Sequence, residues 1–343
     1  FAGGGTDLES FSTKYGGAVL NAAVCMFAYC TIIPTNDGKI VIKSHDNNSS
    51  LETESAPELP IVGDKLILHL GVYNRIVKQF NGGKPLSFIM STSNDAPVGS
   101  GLGTSSTMVV AILKAFDRWL GLNLDDYTLA NLAYDIERKD LKLAGGKQDQ
   151  YAAVFGGFNF MEFRQDGATL VNTLRLERSY INELESSFVL YYGGKSRSSA
   201  NQQLVLTKNI IASQIKGAES NSSTVDAMKD LKENAYKMKD CLLLGDTKGI
   251  GDCLKAGWEK KKLTSSVVSN KDLEKTISYA TEHGAEAVKV SGAGGGGFLL
   301  LYCDPVNRQE LINALNELPG KVFPVSFNKR GAESWVINKG DKI

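Results

Sequence analysis

No excess of either charge marks this sequence: 38 Lys and Arg stand against 38 Asp and Glu in 343 residues. A balanced chain has no general attraction for nucleic acid or for an anionic membrane, although a local basic pocket for a phosphorylated ligand remains open. Long apolar runs are also missing. No stretch approaches 18 uninterrupted apolar residues, so no membrane span is expected, and no signal peptide is visible. Cysteine is sparse. Cys25, Cys30, Cys241, Cys253 and Cys303 are odd in number and widely spaced, with no histidine beside the one close pair. That pattern argues against a disulfide framework or a metal knot and for buried thiols in a reducing compartment, hence a cytoplasmic location. The first residue is Phe1, and native residues upstream of it are expected to be missing. What is plentiful is apolar content, 42%, enough for one large core or two ordinary domains.

Periodicity gives a mixed pattern. Short runs at 17–33, 39–44 and 86–91 read as strands, the polar, proline-containing stretch 47–60 as a loop, and about 63–81 as a helix. Residues 105–120 open on hydroxyls and continue with Val109, Val110, Ile112, Leu113, Phe116 and Leu120, a buried helix. A further amphipathic helix covers about 125–139, and 155–163 is glycine-rich and strand-like. In the second half, helices are expected at 201–217, 225–242, 273–280 and 305–318, with strands at 189–192, 287–290, 297–302 and 322–325. This is an α+β arrangement in two layers. A boundary falls near 165–187 without a marked linker. The tripeptide GGK recurs at 82, 145 and 193 with nothing similar around it, so no internal repeat is present.

The most informative string is Pro97-Val98-Gly99-Ser100-Gly101-Leu102-Gly103-Thr104-Ser105-Ser106, running straight into the apolar helix. Glycines let the backbone turn tightly with N–H groups inward, and a helix start adds unpaired N–H groups and a positive dipole end. Together they suit a polyphosphate, with Ser105 or Ser106 placing a hydroxyl on phosphate or Mg²⁺. A lysine is missing where the ordinary P-loop requires one, and Thr104 stands where a dinucleotide fingerprint needs its third glycine. A glycine turn that only caps a core helix would look the same.

Two acids follow. Glu137 closes the helix over 125–139, and Asp149 sits in the glycine loop Gly145-Gly146-Lys147-Gln148-Asp149-Gln150. Phosphoryl transfer needs an oxygen ligand for Mg²⁺ and a carboxylate near the attacking hydroxyl; two surface acids are the bland alternative. A second glycine cluster, Lys289-Val290-Ser291-Gly292-Ala293-Gly294-Gly295-Gly296-Gly297, leads into a strand and not a helix, which excludes a dinucleotide site and leaves a hairpin-like turn. At the start, Asp7 in Gly3-Gly4-Gly5-Thr6-Asp7 could accept bonds from two vicinal sugar hydroxyls or simply cap a short helix. Lys195 and Arg197, on a loop after a strand, could grip a phosphate or belong to a solvated turn. The run Trp258-Glu259-Lys260-Lys261-Lys262 reads as a solvated helix face.

Taken together these strings resemble the motifs of the galactokinase, homoserine kinase, mevalonate kinase and phosphomevalonate kinase (GHMP) superfamily, over nearly the whole chain. PVGSGLGTSS is similar to the second motif, PxGxGLGSS, with Thr104 a mild departure. IER followed by GGKQDQ resembles the pair in which a helical Glu binds Mg²⁺ and an Asp acts on the acceptor hydroxyl, and DQ resembles the galactokinase form. KVSGAGGGG resembles the third motif, KxSGAGxGG, while GGGTD and the Arg197 loop resemble segments of heptose-phosphate kinases.

The resemblance implies a two-domain fold, a ribosomal protein S5 domain 2-like N-terminal domain over 1–175 and a ferredoxin-like domain over 176–343. It implies ATP held by Pro97, Gly99, Ser100, Gly101, Leu102, Gly103, Thr104, Ser105 and Ser106, and Mg²⁺ held by Ser106 and Glu137. Asp149 would be the base or the orienting group. Gly5, Thr6, Asp7, Asp149, Lys195, Arg197, Gly294 and Gly295 would contact a small sugar phosphate. The activity implied is phosphorylation of the anomeric hydroxyl of D-glycero-D-manno-heptose 7-phosphate to the 1,7-bisphosphate. A kinase for an unphosphorylated sugar such as fucose or galactose, which would not need Arg197, is the alternative. A non-catalytic sugar or ATP sensor is a third, opposed by the intact Ser106, Glu137 and Asp149. Neither nucleic acid nor membrane is an expected partner, and a homodimer is left open.

Overall fold

A computed structural model describes residues 1–61, 63–97, 99–194, 204–210 and 222–337 of the chain. The N-terminal half is built on a four-stranded sheet of β2 (Ala28–Pro34), β3 (Lys39–Ser44), β4 (Ser49–Glu54) and β5 (Phe88–Asn94) in the order β2-β5-β3-β4. Only the β3–β5 pair is parallel. Its inner face carries Ile40, Ile42, Phe88 and Met90, all fully buried. Two helices share that core, α2 (Ile67–Phe80) through Leu70, Tyr73 and Ile76, and α3 (Thr104–Leu120) through Val109, Ile112, Leu113 and Phe116. Helix α4 (Asp126–Asp135) is capped by the Asp125 carboxylate accepting from the Thr128 N–H at 3.0 Å. It passes directly into a wide π-turn, Ile136–Asp140.

The segment 47–60, expected as a loop, contains β4. The strand is polar, but its residues alternate between half-buried and exposed along Ser49–Glu54, and it pairs antiparallel with β3 from Ser44↔Ser49 to Lys39↔Glu54. An edge strand open to water needs few apolar residues, so hydrophobicity gave no signal. The expected loop around Asp149 is likewise the first turn of a short helix, α5 (Gln148–Phe155). Short helix α1 (Glu9–Tyr15) starts at Leu8 without a side-chain cap, so Asp7 is not a capping residue.

A smaller sheet, β1 (Gly17–Ala22), β6 (Phe158–Phe163) and β7 (Thr169–Leu174), lies in the order β1-β6-β7. After α6 (Arg178–Ser187) comes an antiparallel sheet of β8 (Phe188–Tyr192), β9 (Ala287–Val290), β10 (Phe298–Tyr302) and β11 (Lys321–Phe323). Its order is β11-β8-β10-β9. Counted from β8 that is 4-1-3-2, the strand order of the ferredoxin-like split βαβ arrangement. Helices α7 (Ser222–Leu244), α8 (Thr247–Thr264) and α9 (Lys271–Glu282) separate β8 from β9, and α10 (Arg308–Asn316) separates β10 from β11. The β11-β8-β10-β9 sheet and α7–α8 share a core with β1 and β6: Leu20, Phe158 and Phe160 pack with Phe188, Met238, Leu254 and Phe298. The two halves therefore meet through a continuous apolar junction. No described helix is long and apolar enough to cross a membrane.

Candidate active site

The phosphate-type loop lies at the junction of the halves. Gly99, Gly101 and Gly103 all have left-handed φ, from 71° to 81°. Gly103 is the N-cap of α3, with no side chain capping the helix start. Backbone contact ties this loop to the second glycine cluster, which forms the β9–β10 hairpin turn. The Phe298 N–H donates to the Ser100 carbonyl at 2.9 Å. A Cβ on Gly101 would stand 2.7 Å from the Ser291 oxygen. Ser100 is fully buried, and its hydroxyl has no partner among the described residues. Leu102 packs into the core beneath, Ser105 faces solvent, and Pro97, Gly99 and Gly101 are half-buried while Thr104 and Ser106 are buried.

Glu137 and Asp149 reach this loop from different elements. Glu137 is 1% exposed and lies in the π-turn, a helix irregularity common at functional sites. The turn is fixed to α2 by a bidentate pair, with Arg75 Nε and one terminal nitrogen donating to Asp140 at 2.8 and 2.5 Å. The Glu137 carboxylate accepts from Gln150 Nε2, which also donates to Ser106 Oγ at 3.0 Å. Gln150 is fully buried and its Oε1 has no partner among the described residues. Arg138 stands 3.6 Å from Glu137 and donates to the Gly146 carbonyl at 3.4 Å. Asp149 sits directly behind the loop: a Cβ on Gly103 would be 3.0 Å from its Cγ. Burial raises the Asp149 pKa to about 7, the Asp7 and Glu137 charges push the same way, and Arg138 opposes them.

The sign of that shift gives a first prediction. An unfolded aspartate titrates near 4. The native group is raised to about 7, so its favourable contribution is complete below about pH 4 and is lost as pH rises through about 7. In metal- and nucleotide-free protein, Asp149→Asn should therefore gain thermal stability over the parent as pH goes from about 5 to about 8. Melting scans at both pH values check this, and a gap that stays constant would refute it.

Asp7, 1% exposed, is held as an acceptor. Its carboxylate takes the Gly5 N–H at 3.0 Å, the Gln148 N–H at 3.0 Å and Gln148 Nε2 at 3.1 Å. This couples the N-terminal loop to the residue preceding Asp149. Thr6, in contrast, spends its hydroxyl on the backbone, bonding the carbonyls of Gly3 and Ala18 and the Ala18 N–H. Gly294 and Gly295 are also engaged elsewhere: Gly294 packs on Val268, and the Gly295 N–H donates to the Val268 carbonyl at 2.6 Å. Lys195 and Arg197 lie outside the described residues.

One expectation is overturned. Lys261 is no part of a solvated face; it is 6% exposed, and its Nζ donates to the Gly4 carbonyl at 2.8 Å. Burial lowers its pKa to about 8, against the pull of Asp7. Lys289, on β9, donates to the Phe1 carbonyl at 2.5 Å, and burial and the Lys261 charge lower it to about 7. The signal for Lys261 was present but masked by the charge run: it continues the buried stripe Ile250, Leu254, Trp258 at three- and four-residue steps. Gln150 was passed over because a glutamine beside an aspartate carries no charge pattern of its own.

An uncapped helix start under a glycine loop, with a hydroxyl and two acids converging on it, defines a phosphate-handling transferase site. Comparison with known proteins narrows the class. Residues 67–157 match the model of the GHMP kinases N terminal domain, and 229–320 that of the GHMP kinases C terminal domain. A curated relative from Campylobacter jejuni, D-glycero-alpha-D-manno-heptose 7-phosphate kinase, is 44% identical over 98% of this chain and 96% of its own. The crystal structure of a D-glycero-D-manno-heptose 1-phosphate kinase from Bacteroides thetaiotaomicron is also 44% identical. It superposes with a TM-score of 0.81 over 98% of this chain and 95% of its own. Lactococcus lactis galactokinase, at 16% identity and a TM-score of 0.75, shares the fold. The chain belongs to the GHMP kinase family. It is a phosphotransferase of the two-domain architecture seen in that family, which implies ATP as the donor.

Proposed function

We propose that this kinase transfers the γ-phosphoryl group of ATP to the anomeric hydroxyl of a heptose 7-phosphate, forming the 1,7-bisphosphate, in the cytoplasm. The observation that carries this is the 44% identity, sustained over nearly both full lengths, to the Campylobacter enzyme named for that substrate. The Bacteroides structure is named for a 1-phosphate kinase instead, so the position of the pre-existing phosphate is the point to test. An ADP-release assay should show turnover with D-glycero-D-manno-heptose 7-phosphate well above that with fucose or galactose. Phosphorus NMR should show a new anomeric phosphate. Equal rates on the unphosphorylated sugars would replace this reading with a plain sugar kinase.

The residues divide the work as follows. The loop 99–106 and the start of α3 receive the triphosphate. Asp7 accepts from sugar hydroxyls, and its bonds to Gln148 keep that grip in register with Asp149. Asp149 takes or orients the proton of the attacking hydroxyl. Mg²⁺ fits the donor set, because a serine hydroxyl and a carboxylate are the hard oxygens it prefers. Among the described residues no three His, Cys, Asp or Glu side chains cluster as a metal site, so Ser106 and Glu137 would complete their shell with phosphate oxygens and water. Bound there, Mg²⁺ would neutralise charge developing on the phosphates. The division at residue 175 belongs to the same proposal: 1–175 supply the loop and carboxylates, and 176–343 supply the hairpin turn and α8.

Gln150, which donates to both Ser106 and Glu137, positions them. Gln150→Leu should raise the Mg²⁺ concentration for half-maximal rate by about 10- to 100-fold, the usual penalty for losing an outer-shell partner. Heat stability should fall in the same variant, because two buried acceptors lose a donor. An unchanged Mg²⁺ titration would remove Gln150 from this role.

A further inference from the structure

Three consecutive lysines end α8, and they differ in what they face. Lys260 pairs with Asp230 at 2.7 Å and Lys262 with Glu259 at 2.8 Å. Lys261, between them, is turned inward and makes no ion pair among the described residues; its one described hydrogen bond goes to the Gly4 carbonyl. The amine abuts Gly5, where a Cβ would lie 3.0 Å from Nζ, and the same point is 3.4 Å from Leu206 and 3.6 Å from Met228. A single carbonyl and two apolar side chains do not compensate a buried ammonium. The described neighbourhood offers more positive charge: Lys289 is close enough that the Lys261 charge helps to lower its pKa. Asp7, the carboxylate that acts on Lys261 electrostatically, already accepts three hydrogen bonds.

We propose that Lys261 is a specificity-determining residue that contacts the anionic phosphate substituent of the acceptor sugar, across the Gly4–Gly5 backbone from the hydroxyl-binding Asp7. This deepens the sugar-phosphate reading above and rests on it. Location assigns the anion to the acceptor and not to ATP. The amine is anchored to the N-terminal loop that holds Asp7, whereas the glycine loop 99–106 abuts Asp149 and makes no described contact with Lys261. A dianion arriving here fills the missing half of an ion pair in an apolar surround, where a charge-assisted bond is strong. The phosphate is thereby read by a residue from the C-terminal half, while the hydroxyls are read by one from the N-terminal half.

The test compares the parent, Lys261→Met and Lys261→Arg in steady-state kinetics, with ATP and sugar phosphate varied separately, and measures ATP binding by calorimetry. Lys261→Met should raise KM for the sugar phosphate by about 10- to 100-fold, the worth of one charge-assisted bond. KM and affinity for ATP should stay unchanged, and Lys261→Arg should recover part of the loss. An unchanged sugar-phosphate KM in Lys261→Met would overturn the proposal. So would a parallel loss of ATP binding or of the folded state, because Lys261 would then be only a clamp on Gly4. A parent enzyme with no activity on any sugar phosphate would instead sink the functional reading itself, a result the variants cannot mimic.

Discussion

Asp149→Asn is expected to lower kcat by about 10²- to 10⁴-fold, the range for losing a positioned proton acceptor, with ATP affinity close to the parent's. The reasoning is geometric before it is electrostatic. The carboxylate lies immediately behind Gly103, where α3 begins, which under the proposed function puts it beside the γ-phosphoryl group and the acceptor hydroxyl. Asparagine keeps the shape and can still accept one hydrogen bond, but it cannot take a proton. Among the described residues, the contacts that tie the loop to the β9–β10 turn, Phe298 to Ser100 and Gly101 against Ser291, do not involve the Asp149 carboxylate. Single-turnover kinetics with a separate nucleotide-binding measurement will distinguish the outcomes. Retained turnover would remove Asp149 from the chemistry, and lost ATP binding would make it part of the nucleotide site.

Gly101→Ala should have the second large effect, and through binding. Two costs coincide at that position. The backbone sits at φ 81°, which a side chain disfavours by about 1–2 kcal/mol, and the new methyl would fall 2.7 Å from the Ser291 carbonyl oxygen. That obstacle is backbone, so one of the two glycine turns must shift and the loop N–H groups lose their aim. The expected result is a rise in KM for ATP of about 100-fold, since each 1.4 kcal/mol of lost contact is tenfold, with a lower melting temperature. Gly167→Ala is the control. It carries the same kind of strain, with φ at 88°, in the β6–β7 turn, but its Cβ would meet nothing within 4 Å. It should lose a little stability and keep its ATP KM. If both variants bind ATP equally well, the interlocking of the two glycine turns does not matter for the nucleotide.

Legibility in the sequence followed how each residue's signal is encoded. Helix α3 was readable because Val109, Ile112, Leu113 and Phe116 repeat on one face and a glycine string abuts its start. The β9–β10 hairpin was readable because a strand, not a helix, follows Gly297. Strand β4 escaped because an exposed edge obeys hydrogen bonding with β3 more than hydrophobicity. Helix α5 escaped because two glycines precede it and it spans only 8 residues, too few for a clear period. Glu137 and Asp149 could be named from resemblance and not from their spacing, and their joint geometry depends on the π-turn and on Gln150, which no local pattern announces. Lys261 was legible only through periodicity: it continues the stripe Ile250, Leu254, Trp258, and the run of three like charges hid that signal.

The bond from Phe298 to Ser100 has one more consequence. Phe298 begins β10, one of the two central strands of the C-terminal sheet, so that strand and the glycine loop 99–106 are joined backbone to backbone. Under the proposed function, any tilt of one lobe against the other would pull directly on the loop assigned to the triphosphate. Severing the chain between the lobes would leave neither fragment able to hold nucleotide alone, and mixing them should restore it only when the two turns can lock again.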